Sequence, residues 1–237
     1  MASINQLISE IAHAVGQPNN VPLKRNIKLA IIHTRNELIR QSYANNRYTD
    51  KGLMQRFRLS LINIPDGDLN GVNLKNKNVI VKRTATKVPR PVRLTNNLPF
   101  HSVRTVGYNS KLIPFIKEGI GQFYAYVPGM CSIGNYDYIN EYIYIFANKN
   151  SSWQWLTNLG NIIIESVFKH PTFIPIETKE NKNNIDYDLD TDDELDDNEF
   201  LLPEDMIGQI KDIIFKRNLL DMVRADNEIP LVDKVNR

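Results

Sequence analysis

Apolar residues recur at helical spacing near both ends of this chain and alternate with polar ones in between, so helices and strands must occupy separate stretches. Over 3–15, Ile4, Leu7, Ile8, Ile11 and Val15 share one helix face, and Ser3 stands where a cap belongs. Gly16-Gln17-Pro18-Asn19-Asn20 reads as a turn. A longer helix is predicted over 21–44, with Asn20 as its N-cap and Pro22 near the first helical position, where a missing N–H is harmless. Leu23, Ile27, Ala30, Ile31, Thr34 and Leu38 form its main stripe. Ile32 and Ile39 lie off that stripe, so the helix should touch two neighbours. Lys24, Lys28 and Arg35 cluster on an adjacent face.

In the middle the period changes to two. Phe57, Leu59 and Leu61 alternate with Arg56, Arg58 and Ser60 over a strand at 55–62. Further strands are expected at 79–82, 91–94, 102–106, 122–127 and 138–146, the last needing two registers and hence a bulge. Pro89, Pro91, Pro99, Pro114 and Pro128 punctuate the set, as suits edge strands and loops. Helical spacing returns over 151–169, where Trp155, Leu159, Ile162 and Ser166 share a face and Pro171 follows. Residues 178–198 read as a mobile acidic loop, 203–220 as a final helix with Pro203, Glu204 and Asp205 in its first turn, and 223–237 as an extended tail. The predicted class is α+β: a helical bundle from 1–46 and 150–222, with an antiparallel sandwich or barrel-like sheet inserted at 47–149.

Charge is sorted along the same axis. Eighteen Lys and Arg face five Asp and Glu up to Lys111, and eleven face twenty-two from Leu112 onward, although the chain totals only +2. A basic half calls for a polyanion or an acidic neighbour, and the acidic half offers that neighbour on the next copy of the same chain. The basic candidates are Lys24, Lys28, Arg35, Arg56, Arg58, Lys82, Arg83, Lys87, Arg90 and Arg93. Sequence-independent contact with DNA phosphates needs no more than such charge. Poor aromatic interleaving argues against a stacking platform for single strands, and pairing with an acidic neighbour is the preferred reading. Asp186, Asp188, Asp190, Asp192, Asp193 and Glu194 make the acidic counterpart, and Ile229, Leu231 and Val232 could anchor the tail to a partner.

Catalytic patterns are weak. The acidic loop has the offsets of a calcium loop through Asp197, but Thr191 stands where that loop needs glycine and Asp197 where it needs a longer Glu. A solvated linker or partner-docking loop is the plainer reading. Asp66 with Glu177 and Lys179 could hold Mg²⁺ in a nuclease, yet they are far apart in sequence, and two unrelated surface charges explain them as well. His13, His33, His101 and His170 show no metal-ligand spacing. Cys131 has no nucleophile signature, and Gly119-Ile120-Gly121 lacks the third glycine of a phosphate loop. No cofactor is called for. One cysteine excludes an internal disulfide, and no apolar run is long enough to span a bilayer.

Three stretches carry a resemblance: Ile27-Lys28-Leu29-Ala30-Ile31-Ile32-His33-Thr34-Arg35, Lys87-Val88-Pro89-Arg90-Pro91-Val92-Arg93-Leu94 and Phe200-Leu201-Leu202-Pro203-Glu204-Asp205-Met206-Ile207. With the order of elements around them, the chain resembles the head-to-tail adaptor or ring proteins of short-tailed bacteriophages, most closely those of crAss-like phages. The resemblance implies a non-enzymatic virion protein, made in the bacterial cytoplasm and placed at the neck or tail. It implies a closed, usually dodecameric ring beneath the portal that extends the DNA channel and docks other tail and ring proteins. Its partners would be further copies of itself, the portal and other tail components, with non-specific contact to genomic DNA and none to membrane. Heterologous head-to-tail contacts close into rings when the rotation fits, and a chain with unlike halves suits that mode.

Overall fold

The structure, a computed structural model, describes residues 3–46, 50–64, 79–94, 98–107, 110–117, 120, 134–148, 158–170, 200 and 202–218. The chain divides into two compact units, Met1–Leu53 with Leu189–Arg237, and Met54–Asp188. The class is α+β, with three α-helices among the described residues and one six-stranded antiparallel sheet.

In the first unit, α1 (Ile4–Ala14) begins where Ser3 accepts a hydrogen bond from the Gln6 N–H, and α2 (Val21–Asn46) begins where Asn20 Oδ1 accepts from the Leu23 N–H at 3.0 Å. Both caps satisfy amides that the first turn leaves without a partner. The third helix, α3 (Glu204–Ile213), starts after Pro203 and continues into a π-helical turn, Ile214–Asn218. The aliphatic faces meet in one core of Ile4, Leu7, Ile11, Leu23, Ile27, Ile31, Phe200, Leu202, Ile210 and Ile214. The off-stripe Ile32 and Ile39 of α2 are buried as well. α2 packs against both α1 and α3, so its second neighbour is an element of its own chain.

An exposed ion pair ties α1 to α3: Lys211 Nζ donates to Glu10 Oε2 at 2.6 Å. That hydrogen bond holds the Glu10 carboxyl below its ordinary range. The folded group therefore titrates below the unfolded one. Its contribution is complete above the ordinary carboxylate range and is lost as pH falls through the lowered folded value. Both partners are well solvated, so Glu10→Gln should remove only about 0.5 kcal/mol at neutral pH and flatten that part of the acid limb in thermal melts taken across pH.

The second unit is the sheet, ordered β3-β6-β1-β2-β5-β4, with β1 Gln55–Asn63, β2 Val79–Thr84, β3 Ser102–Thr105, β4 Asn135–Ile139, β5 Tyr142–Asn148 and β6 Asn161–Ser166. A short 3-10 turn, Lys51–Leu53, leads toward β1. β1 serves two neighbours along its length. Gln55 to Ser60 pair with β6, and Leu61 to Asn63 pair with β2. The sheet is curled into a half-barrel, which agrees with the barrel-like form of the expected sheet. Residues 111–116 then run along both edge strands. Ile113 N–H donates to Val103 C=O beside the Arg104–Leu112 bridge on β3, and Tyr136 N–H donates to Pro114 C=O beside the Phe115–Tyr136 bridge on β4. These bonds occupy Val103 and Thr105 of β3 and Tyr136 of β4, so part of each edge is already paired within the chain. The inner face gathers Phe57, Leu59, Phe100, Val103, Ile113, Ile143, Ile145, Ile162, Ile164 and Phe168.

Three local expectations are corrected. Residues 161–166 form strand β6 and not part of a helix. Ile162, Ile163 and Ile164 are β-branched and favour a pleated surface. The alternation that matters is Ile162, Ile164 and Ser166 buried against Ile163 and Glu165 half-buried. The stretch 138–146 is a hairpin and not one bulged strand: Ile139 pairs with Tyr142 across Asn140 and Glu141, both at positive φ (49° and 68°). That backbone is the one a tight two-residue hairpin needs, but Asn-Glu lacks the glycine that advertises it. Residues 91–94 form no strand; Pro91 makes a single bridge to Phe168, and Val92 N–H donates to Val167 C=O. The expected strand at 122–127 lies outside the described residues.

Candidate functional site

Pairing in β3, β6 and β1 decides which side chains share the outer face of the sheet. Arg58 and Arg104 both sit opposite Ile163, and Arg56 and Ser102 both sit opposite Glu165. Directly paired residues project to the same side, so Arg56, Arg58 and Arg104 stand on one face. The alternate residues Phe57, Leu59, Val103, Ile162 and Ile164 fill the core beneath it. All three arginines are exposed. Arg56 Nη2 lies 3.6 Å from Glu165 Oε1, and Ser102 Oγ donates to the other oxygen of that carboxylate at 3.3 Å. Among the described residues, Arg58 and Arg104 have no acidic partner. Leu112, paired with Arg104, is 56% exposed, and Val106 lies just beyond β3 at 36%. Three cations around one carboxylate, bordered by bare apolar side chains, make a surface suited to an anionic partner with apolar content.

The remaining basic candidates are placed differently. Arg35 is 1% exposed, with its guanidinium 5.6 Å above the Phe200 ring and Nη1 donating to Asn36 Oδ1 at 3.2 Å. Burial pulls its pKa down to about 10. Lys82 is also buried, and its Nζ donates to the Leu159 carbonyl at 2.7 Å; burial lowers its pKa. These two serve the interior of their own chain, contrary to the expectation that they face a neighbour or a channel. The helical stripe around Arg35 and the inward register of Lys82 draw both side chains in by their long apolar stems. Arg83 lies over the Tyr142 ring at 4.6 Å. Arg90 pairs with Glu141, whose hydrogen bond raises the arginine pKa. Arg93 is exposed, and Lys24, Lys28 and Lys87 are half-buried. The outward side of α2 also carries Val21 (60% exposed) and Leu29 (53%), with Arg25 and Arg40 exposed nearby.

The acidic residues Asp186, Asp188, Asp190, Asp192, Asp193 and Glu194, the tail residues Ile229, Leu231 and Val232, and Asp66, Glu177, Lys179 and Cys131 lie outside the described residues. Among the described residues, no three His, Cys, Asp or Glu side chains gather as a metal site. No described helix is long and apolar enough to cross a membrane. Sequence reasoning missed Arg104. Its strand was legible, but its neighbours Arg56 and Arg58 become neighbours only once β6 lies between them as a strand.

The family model described as phage tail ring protein 2, of crAss-like phages, matches residues 6–233. The chain belongs to that family. It has a structural tail ring role and is a component of the bacteriophage virion. No curated protein matches it. A tail ring is an assembly of subunits, and such an assembly buries surface between them.

Proposed function

We propose that identical copies of the chain form a closed dodecameric ring at the head-to-tail interface, joining the portal to the tail and extending the DNA channel, with no catalytic step of its own. The family match over 6–233 is the observation that carries this reading. The opposed charge of the two sequence halves supports a heterologous contact, in which one surface meets a different surface on the next copy. Lys24, Lys28, Arg56, Arg58, Lys87 and Arg93 are the cations proposed for subunit contacts or the channel wall, and Ile229, Leu231 and Val232 the tail residues that dock on a partner.

A second reading is sequence-independent DNA binding. It is favoured by Arg58 and Arg104, which form no ion pair among the described residues. Native mass measurement of complexes released from disrupted virions separates the two. The ring reading expects a dodecamer of the 27.3 kDa chain. A monomer that binds duplex DNA with a steep salt dependence overturns it in favour of the second.

A further inference from the structure

We propose that the outer face of β3, β6 and β1 receives the acidic segment 186–199 of a neighbouring copy of the chain. This rests on the ring reading and says which surfaces meet. The segment has nine Asp and Glu and no Lys or Arg. Among the described residues, the face offers Arg56, Arg58 and Arg104 against the single carboxylate of Glu165. Spacing agrees as well as sign. Asp186, Asp188, Asp190, Asp192 and Glu194 recur at every second position. Laid out extended, such a chain puts its carboxylates about 7 Å apart along one side. Arg56 and Arg58, two residues apart on β1, repeat at that same interval, and Arg104 stands about 10 Å across the sheet from Arg58. Guanidinium and carboxylate meet as charge-assisted, often two-pronged hydrogen bonds.

The apolar content points to protein over DNA. Leu112 and Val106 border the arginines, Ile163 lies half-buried among them, and the segment interleaves Tyr187, Leu189 and Leu195 with its acids. Phosphate recognition has no use for those side chains, whereas burying them adds to a protein contact. A basic face that takes an acidic segment from the next copy is a heterologous contact, the kind that can repeat around a ring.

The test uses the full chain with Asp186, Asp188, Asp190, Asp192, Asp193, Asp196 and Asp197 changed to Asn and Glu194 and Glu199 to Gln, so that its own segment carries no charge to compete. A fluorescent peptide of residues 183–199 is titrated and read by anisotropy. Binding is expected to weaken as salt rises from about 50 to 300 mM. Adding Arg58→Glu and Arg104→Glu should weaken it by about tenfold or more, while Arg25→Glu with Arg40→Glu, a matched reversal on α2, should leave it unchanged. Should the glutamates disturb folding by circular dichroism, Arg58→Gln with Arg104→Gln should show the same loss to a smaller degree. No peptide binding, equal binding after the sheet-face changes, or a loss confined to duplex DNA overturns the proposal. So does unmutated chain that stays monomeric yet excludes the peptide, since the segment then docks within one chain. A negative peptide result beside virion rings of the chain removes this inference alone. Virions with no such ring remove the reading beneath it.

Discussion

Phe168→Ala will destabilise the sheet unit by about 3–5 kcal/mol, the range for emptying a buried aromatic site. Phe168 is 0% exposed, its ring centroid lies 5.0 Å from that of Phe57 and 6.4 Å from that of Phe100, and Phe100 in turn meets Tyr138 edge-on at 5.1 Å. Its bridge to Pro91 also sets the chain beyond β6 against residues 90–92. Alanine leaves a cavity among side chains held by paired strands, which cannot collapse far. The midpoint of chemical denaturation followed by tyrosine and tryptophan fluorescence should fall steeply. A change below about 1 kcal/mol would show that the aromatic cluster is not packed as described.

Arg35→Glu will destabilise the helical unit by about 4 kcal/mol or more, because it places a carboxylate where a guanidinium lies over the face of Phe200. The negative face of an aromatic ring attracts a cation and repels an anion. Arg35→Lys keeps the charge but loses the planar stacking, so it should fall well short of that loss. Loss of helical circular dichroism on heating reads the effect. If Arg35→Glu melted like the unmutated chain, the side chain would have to be at the surface, where the sequence reading had placed it.

Much of the fold was legible because period and capping are local. Ser3, Asn20 and Pro203 mark the helix starts, and Phe57 and Leu59 alternate as a half-buried strand must. The errors came where a local pattern admits two periods. Ile162 and Ser166 are four residues apart, which fits a helix face and, equally, every second position of a strand. Only the pairing of β6 with both β1 and β3 decides between them. The Asn140–Glu141 turn was hidden because a non-glycine pair adopts a backbone usually announced by glycine. Of the candidate site, Arg56 and Arg58 were legible from β1 alone. Arg104 was not, since its place beside them depends on strand order, which alternation does not encode. Arg35 and Lys82 were read as surface cations because charge says nothing of where a long side chain ends.

A reconstruction of the virion tail by electron cryomicroscopy tests the account most directly. It predicts a ring in which each copy of the chain presses a basic surface against an acidic surface of the next, with the same contact repeated around the axis. Copies that do not touch one another, or that meet only in like-to-like pairs, would contradict it.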